Sequence, residues 1–222
     1  GSGDNLGFSV AAGYVNNDNN ADIIIGASRA TFNQNKPVTG VVYVLYGSDL
    51  SNGKIELVAQ PANLTIVGTV SGENLGASVA AGYVNNDNNA DIIIGSGGSG
   101  KNNKAYIVFG DNFKEPMVMD LALDQDVVIN SPPEAEAFGQ ATASGDIDDD
   151  GLDDIIIGSP LTDKSMALNS GAMYLVYGKN FATFNPAGRP LPAQAQEPKP
   201  FGAISQFFDN LLAGFFVFIF KK

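Results

Sequence analysis

Between residues 146 and 154 the chain reads Asp146-Ile147-Asp148-Asp149-Asp150-Gly151-Leu152-Asp153-Asp154. Carboxylates stand at the first, third, fifth and ninth positions, and the glycine at the sixth permits a tight turn. Hard oxygen donors brought to one point suit Ca²⁺, which takes six to eight oxygens at about 2.3–2.6 Å. The candidate ligands are Asp146, Asp148, Asp150, the backbone carbonyl of Leu152, and Asp154. The plain alternative is a solvated acidic Asp-Gly turn. Carboxylates this dense repel one another without a counter-cation, which weighs toward a metal. An EF-hand is disfavoured, because Ile157 stands where that motif places a bidentate Glu.

The same frame occurs twice earlier, with fewer carboxylates. It gives Asn16, Asp18, Asn20 and Asp22 in one loop and Asn85, Asp87, Asn89 and Asp91 in the other, with Tyr14 and Tyr83 at the first position. Two readings stand for these loops. In one they are weaker cation sites. In the other the Asn side chains cap the turn without metal, and Asn19 and Asn88 take left-handed backbone in place of the glycine.

The elements that must carry these loops are repeats. Leu6 to Gly26 returns as Leu75 to Gly95 with one change, Phe8 to Ala77, and a diverged third copy runs from Phe138 to Pro160. Each copy continues into an apolar run that ends in glycine: Val41 to Gly47, Ala105 to Gly110, and Ala172 to Gly178. Short β-branched and aromatic runs bounded by Gly and Asn read as strands. A fourth strand per unit is placed at Leu64 to Val70 and at Val127 to Asn130. The expected class is all-β, with about three four-stranded antiparallel blades of a propeller, partial or completed by oligomerisation; a sandwich is the alternative. The expected organisation is a repeat region over 1–184 (repeats about 6–70, 75–131 and 138–184), a Pro-rich linker over 185–200, and an aromatic amphipathic tail helix over 201–222.

Composition excludes much chemistry. Cysteine and histidine are absent, so thiolate sites and Ser-His-Asp or Cys-His arrangements cannot be built. With 24 acidic and 12 basic residues the net charge is −12, which argues against nucleic acid as a partner. Asn63-Leu64-Thr65 matches a glycosylation acceptor, a weak signal by itself.

Phe138-Gly139, the loop from Asp146 to Asp154, and Gly158-Ser159-Pro160 together resemble an FG-GAP repeat, the blade motif of integrin α-chain propellers. The first two copies depart from it, with Leu6-Gly7 and Leu75-Gly76, with Gly26-Ala27-Ser28 and Gly95-Ser96-Gly97, and with Tyr at the first loop position. The resemblance implies a calcium-stabilised propeller used in adhesion or ligand binding, secreted or at the cell surface.

The expected function is therefore a non-catalytic Ca²⁺-binding surface module. The alternatives are an accessory blade set of a larger secreted enzyme, or a membrane-anchored subunit of a larger complex. Partners are expected to be a protein chain or further copies, meeting blade edges and the tail from Phe201 to Phe220. Membrane contact by that tail is a second expectation. Its uninterrupted apolar run, Leu211 to Phe220, is shorter than the roughly 20 residues a spanning helix needs.

Overall fold

The computed structural model describes residues 3–35, 38–50, 62–111, 113, 116–163 and 170–182, together with the backbone of 216–218. The 185–200 linker and most of the tail lie outside the described residues. Strands β1 (Leu6–Gly13), β2 (Asp22–Ala27), β3 (Val41–Leu45) and β4 (Leu64–Val67) form the first antiparallel blade. Strands β5 (Leu75–Gly82), β6 (Asp91–Ser96), β7 (Lys104–Val108) and β9 (Val127–Asn130) form the second. Strands β10 (Ala141–Gly145), β11 (Asp154–Ser159), β12 (Ala172–Val176) and β13 (Phe216–Phe218) form the third. The first strands sit side by side, with β5 against both β1 and β10, as the inner strands of a propeller do.

Two differences from expectation are local. The first sheet has a fifth strand, β8 (Met117–Asp120), which leaves the second repeat and pairs parallel to β4. Among the described residues it has no counterpart in the other repeats. It buries Met119 and the following Leu121 in the core between the first two blades. The second difference is the tail. Phe216–Phe218 is not helical: it pairs antiparallel to β12, with Tyr174 opposite Val217. Phe-Val-Phe is a strand-forming triplet, and β12 otherwise leaves a row of backbone groups unpaired, which a strand satisfies and a helix does not.

The triple-isoleucine segments show why the blades stack. Side chains alternate across a strand, so Ile92 and Ile94 face one way and Ile93 the other. Ile92 and Ile94 join Leu75, Val79 and Tyr106 against Ile24, Val42 and Val44 of the first blade. Ile93, Ala105 and Ile107 pack against Ile155, Ile157 and Tyr174 of the third. Burying one such side chain contributes about 1.5–3 kcal/mol, so the second blade is held mainly by these two apolar faces.

Close backbone approach fixes the spacing. Each inner strand starts with a left-handed pair, Asn74 (φ 56°) and Gly76 (φ 79°) in the second blade and Ala137 (φ 57°) and Gly139 (φ 83°) in the third. This turn aims the Gly76 and Gly139 carbonyls at the preceding blade. Ser9 Oγ donates to Gly76 O and Ser78 Oγ to Gly139 O, each at 2.8 Å. A Cβ on Gly26 would overlap Gly76 O, and one on Gly95 would overlap Gly139 O. At the equivalent Gly158 the nearest atom to such a Cβ is Ala141 Cβ at 3.3 Å. Gly26→Ala and Gly95→Ala should therefore each destabilise the chain by about 1–3 kcal/mol. Gly158→Ala should cost under about 1 kcal/mol, all three read by urea denaturation of dilute protein.

Candidate metal centre

The three loops join the first and second strands of each blade, and their ninth residue does the same work in all of them. Asp22, Asp91 and Asp154 are fully buried. Asp91 accepts the Val84 N–H at 2.8 Å and the Gly110 N–H at 3.0 Å. Asp22 holds Val15 and Gly47, and Asp154 holds Ile147 and Gly178, in the same way. Each carboxylate thus ties the start of its loop to the end of its third strand. Burial pushes the pKa of Asp91 up to about 8 and that of Asp154 up to about 6, against the two N–H bonds that favour the charged form.

The rest of the third loop differs from the other two. Asp146, Asp148 and Asp154 bring one carboxylate oxygen each to within 4.8 Å of one another. Asp150 lies outside that group; its Oδ1 accepts the Leu152 N–H at 3.0 Å. Asp146 accepts the Asp150 and Gly151 N–H groups, closing the turn over left-handed Asp149 (φ 59°) and Gly151 (φ 89°). Asp148 Oδ2 takes the Lys179 ammonium at 3.0 Å, while Asp148 Oδ1 is buried with no hydrogen-bond partner. A buried, unpaired carboxylate oxygen beside two further carboxylates makes Asp146, Asp148 and Asp154 the candidate ligands of a hard cation.

The first two loops pair Asn with Asp along the turn, and the second leaves Asn89 Oδ1 buried without a hydrogen-bond partner. Asn85 Nδ2 donates to Asp87 Oδ2 at 2.9 Å, and Asn85 Oδ1 accepts the Asp87 N–H at 3.2 Å. Asp87 Oδ1 accepts the Asn89 N–H, and Asn89 Nδ2 donates to Gly110 O at 3.1 Å. Asn16, Asp18 and Asn20 repeat the first three of these bonds. An amide N–H therefore neutralises each Asp where the third loop has a bare carboxylate pair. The left-handed residues are Asn17 and Asn86, at the fourth position, and not the expected Asn19 and Asn88. With the glycine gone, the left-handed step at the sixth position is lost. Tyr14 and Tyr83 use their backbones: Tyr14 O accepts the Ala90 N–H at 2.8 Å and Tyr83 O the Asp153 N–H at 2.9 Å, both across blades.

Residues 138–176 match the FG-GAP repeat family. The third blade is an FG-GAP repeat. The chain is also similar to integrin alpha pat-2 of Caenorhabditis elegans, at 30% identity over 214 residues that cover 87% of this chain and 15% of that protein. Drosophila melanogaster integrin alpha-PS5 is 28% identical over 160 residues, 71% of this chain and 15% of its own length. Rattus norvegicus phosphatidylinositol-glycan-specific phospholipase D is 27% identical over 161 residues, 70% of this chain and 18% of its own length. The chain thus spans less than a fifth of the length of these relatives. The FG-GAP, integrin-alpha-like blades expected from the residues are borne out.

Two side chains with polar contacts in this structure are not evident from any sequence motif. Glu73, two residues before Leu75-Gly76, is buried and accepts the Thr69 N–H at 2.6 Å and the Tyr106 hydroxyl. Lys179 follows the glycine that ends the third strand, and only its position after Gly178 hints that it reaches the loop. Asp91→Asn puts an amide where two N–H donors converge. It should cost about 1–3 kcal/mol by urea denaturation without metal, and an unchanged midpoint would show that Asp91 does not hold the loop.

Proposed function

We propose that this chain is a non-catalytic FG-GAP blade module that binds one Ca²⁺ per chain in the third loop and presents its blades to a protein partner outside the cell. The observation that carries the reading is the convergence of Asp146, Asp148 and buried Asp154 around the unpaired Asp148 Oδ1. Asp146, Asp148 and Asp154 hold the ion, with Asp150 and the Leu152 carbonyl next to them in the loop. Bound Ca²⁺ would supply charge compensation to the carboxylates and stiffen the turn. In the other two loops the position of Asp148 is taken by Asn16 and Asn85, whose amides already hold Asp18 and Asp87.

The integrin alpha relatives support the adhesion reading, and the absence of His and Cys removes the commonest catalytic groups. The phospholipase D relatives favour a second reading, blades that accompany an enzyme in a longer chain. On either reading the 222-residue chain itself should not hydrolyse a glycan-linked phosphatidylinositol, and hydrolysis by it would overturn both.

Isothermal titration of the metal-free chain should give one tight Ca²⁺ site. Asp148→Asn, which recreates the second loop's chemistry, should weaken binding at least about tenfold, or about 1.4 kcal/mol. Failure of the folded wild-type chain to take up Ca²⁺ sinks the reading. Lys179 is an exposed competitor for Asp148, and such ion pairs contribute about 0–1 kcal/mol. Lys179→Ala should therefore leave affinity unchanged or tighten it up to about fivefold in the same titration; weaker binding would show that Lys179 supports the site.

A further inference from the structure

A cavity of about 400 Å³ opens between the loop that joins β4 to β5 and the loop that joins β6 to β7, a volume in the range of small-ligand pockets. Its walls are held from several sides. Glu73 is buried, and its carboxylate turns to the Thr69 and Val70 N–H groups, the Thr69 hydroxyl and the Tyr106 hydroxyl, which fix the first of these loops. The Gly72 N–H donates to Val38 O of the first blade at 2.9 Å. Asn103 Nδ2 donates to Gly98 O and Gly100 O and closes the second loop on itself. The Ala137 N–H, at the head of the third repeat, reaches Gly100 O at 3.1 Å. The cavity is therefore preformed, with its walls tied to both neighbouring repeats.

One lining residue departs from the repeat. Lys104 opens β7, where its backbone exchanges two bonds with Ser96 Oγ, at 2.7 and 2.8 Å. By strand register its equivalents are Val41 in the first blade and Ala172 in the third, so the blade itself does not ask for a cation at this position. The Lys104 side chain is partly buried and, among the described residues, has no carboxylate partner. Lys101, the second lysine of the lining, is already paired with Glu136 at 3.3 Å. One uncompensated ammonium thus lines the cavity, and an anion that reaches it offsets the cost of its partial burial. The rest of the lining offers donors and acceptors together, from the side chains of Ser71, Asn74, Ser99 and Asn102 and from the backbone. Among the described residues no backbone carbonyl accepts the N–H of Gly98, Ser99 or Lys101. The Gly72 carbonyl stands at the wall, 3.2 Å from where a Cβ on Gly98 would lie.

We propose that this cavity binds a carboxylated monosaccharide, with its carboxylate on the Lys104 ammonium and its hydroxyls among Ser71, Asn74, Ser99 and the backbone of the second loop. Each sugar hydroxyl both donates and accepts, which a wall of hydroxyls, amides and peptide groups satisfies. Sulfate or phosphate would set oxyanion oxygens against the Gly72 carbonyl. A single free ammonium matches a single carboxylate, and a longer polyanion would meet the repulsion of a chain with net charge −12. The cavity shares no residue with the loop from Asp146 to Asp154, so sugar binding is independent of the calcium reading.

The test is titration of sodium glucuronate into the 222-residue chain, read by nuclear magnetic resonance from the amide shifts of Gly98, Ser99 and Gly100. The expected result is a saturable shift complete by about 10 mM, with glucose and sodium sulfate each at least about tenfold weaker. Lys104→Ala, which places the third repeat's residue there, should weaken glucuronate at least about tenfold, to the level of glucose. Ser99→Asp, at an exposed loop position, should do the same by repulsion. Circular dichroism reports whether both variants remain folded. No saturable shift by about 10 mM overturns the proposal, whatever the calcium titration gives. Glucose or sulfate binding as tightly as glucuronate overturns the carboxylated sugar as the ligand. A folded Lys104→Ala chain that binds like the wild type overturns the role of Lys104, and unchanged binding by Ser99→Asp overturns the placement in this cavity. Glucuronate binding by a chain that takes up no Ca²⁺ upholds the sugar site and sinks the calcium reading alone.

Discussion

A carbonyl oxygen from one blade lies against a glycine of the blade before it, and this contact sets the distance at which every other inter-blade interaction operates. It requires a left-handed turn at Gly76 or Gly139 to aim the carbonyl. It also requires the bare Cα of Gly26 or Gly95 to receive it. Any side chain at either receiving glycine would push the sheets apart, and apolar faces separated by even a fraction of an ångström lose much of their dispersion contact. The serine hydroxyls at Ser9 and Ser78 then satisfy the same carbonyls, which would otherwise be buried acceptors without partners. The second blade, pressed from both sides, is accordingly the one whose β6 is buried at every position.

Within each blade the corresponding constraint is the ninth-position aspartate. Asp22, Asp91 and Asp154 hold equivalent pairs of N–H groups whether the rest of the loop is rich in Asn or in Asp. Loop closure is therefore separable from metal chemistry. Once the fold is held by this residue, the third position is free to be an amide that bonds the fifth, as Asn85 bonds Asp87, or a carboxylate that joins those of the first and ninth, as Asp148 does. Burial raises Asp91 further than Asp154, although the loop of Asp91 lacks the acidic cluster. A raised value at such a position thus reports burial in the sheet and does not by itself mark a cation site.

The repeat pattern made the blades legible, because a near-identical segment at fixed spacing demands equivalent environments. Ile-Ile-Ile flanked by Asp and Gly reads as a strand buried on both faces, and Ile92 to Ile94 are that. The acidic loop was legible because Asp and Gly at fixed positions leave few other structures. What was not legible is what the repeat does not encode. Strand β8 is a single excursion that pairs with a blade other than its own. Phe216–Phe218 sits in a segment whose aromatic spacing also fits a helix, and only the free edge of β12 decides between them. The left-handed step at Asn17 and Asn86 falls at the same fourth position as Asp149 in the third loop, so it belongs to the shared loop frame, which the residue types alone leave open.

The third loop also carries a joint between blades. Asp153 adjoins Asp154 and clasps the second blade twice, through its N–H to Tyr83 O and through its carboxylate to the Tyr83 N–H, both at 2.9 Å. The equivalent contact between the first two blades is the single bond from Ala90 to Tyr14, because Ala90 has no side chain to complete it. A charge that draws Asp146, Asp148 and Asp154 together acts one residue from the double clasp, so it stiffens the joint between the second and third blades more than the joint between the first and second. Carboxylate repulsion within the loop pulls the other way, and the Lys179 ammonium on Asp148 offsets part of it. The joint nearest the acidic loop thus lies beside a carboxylate cluster, while the joint between the first two blades rests on apolar packing, the Ser9–Gly76 contact and the Ala90–Tyr14 bond.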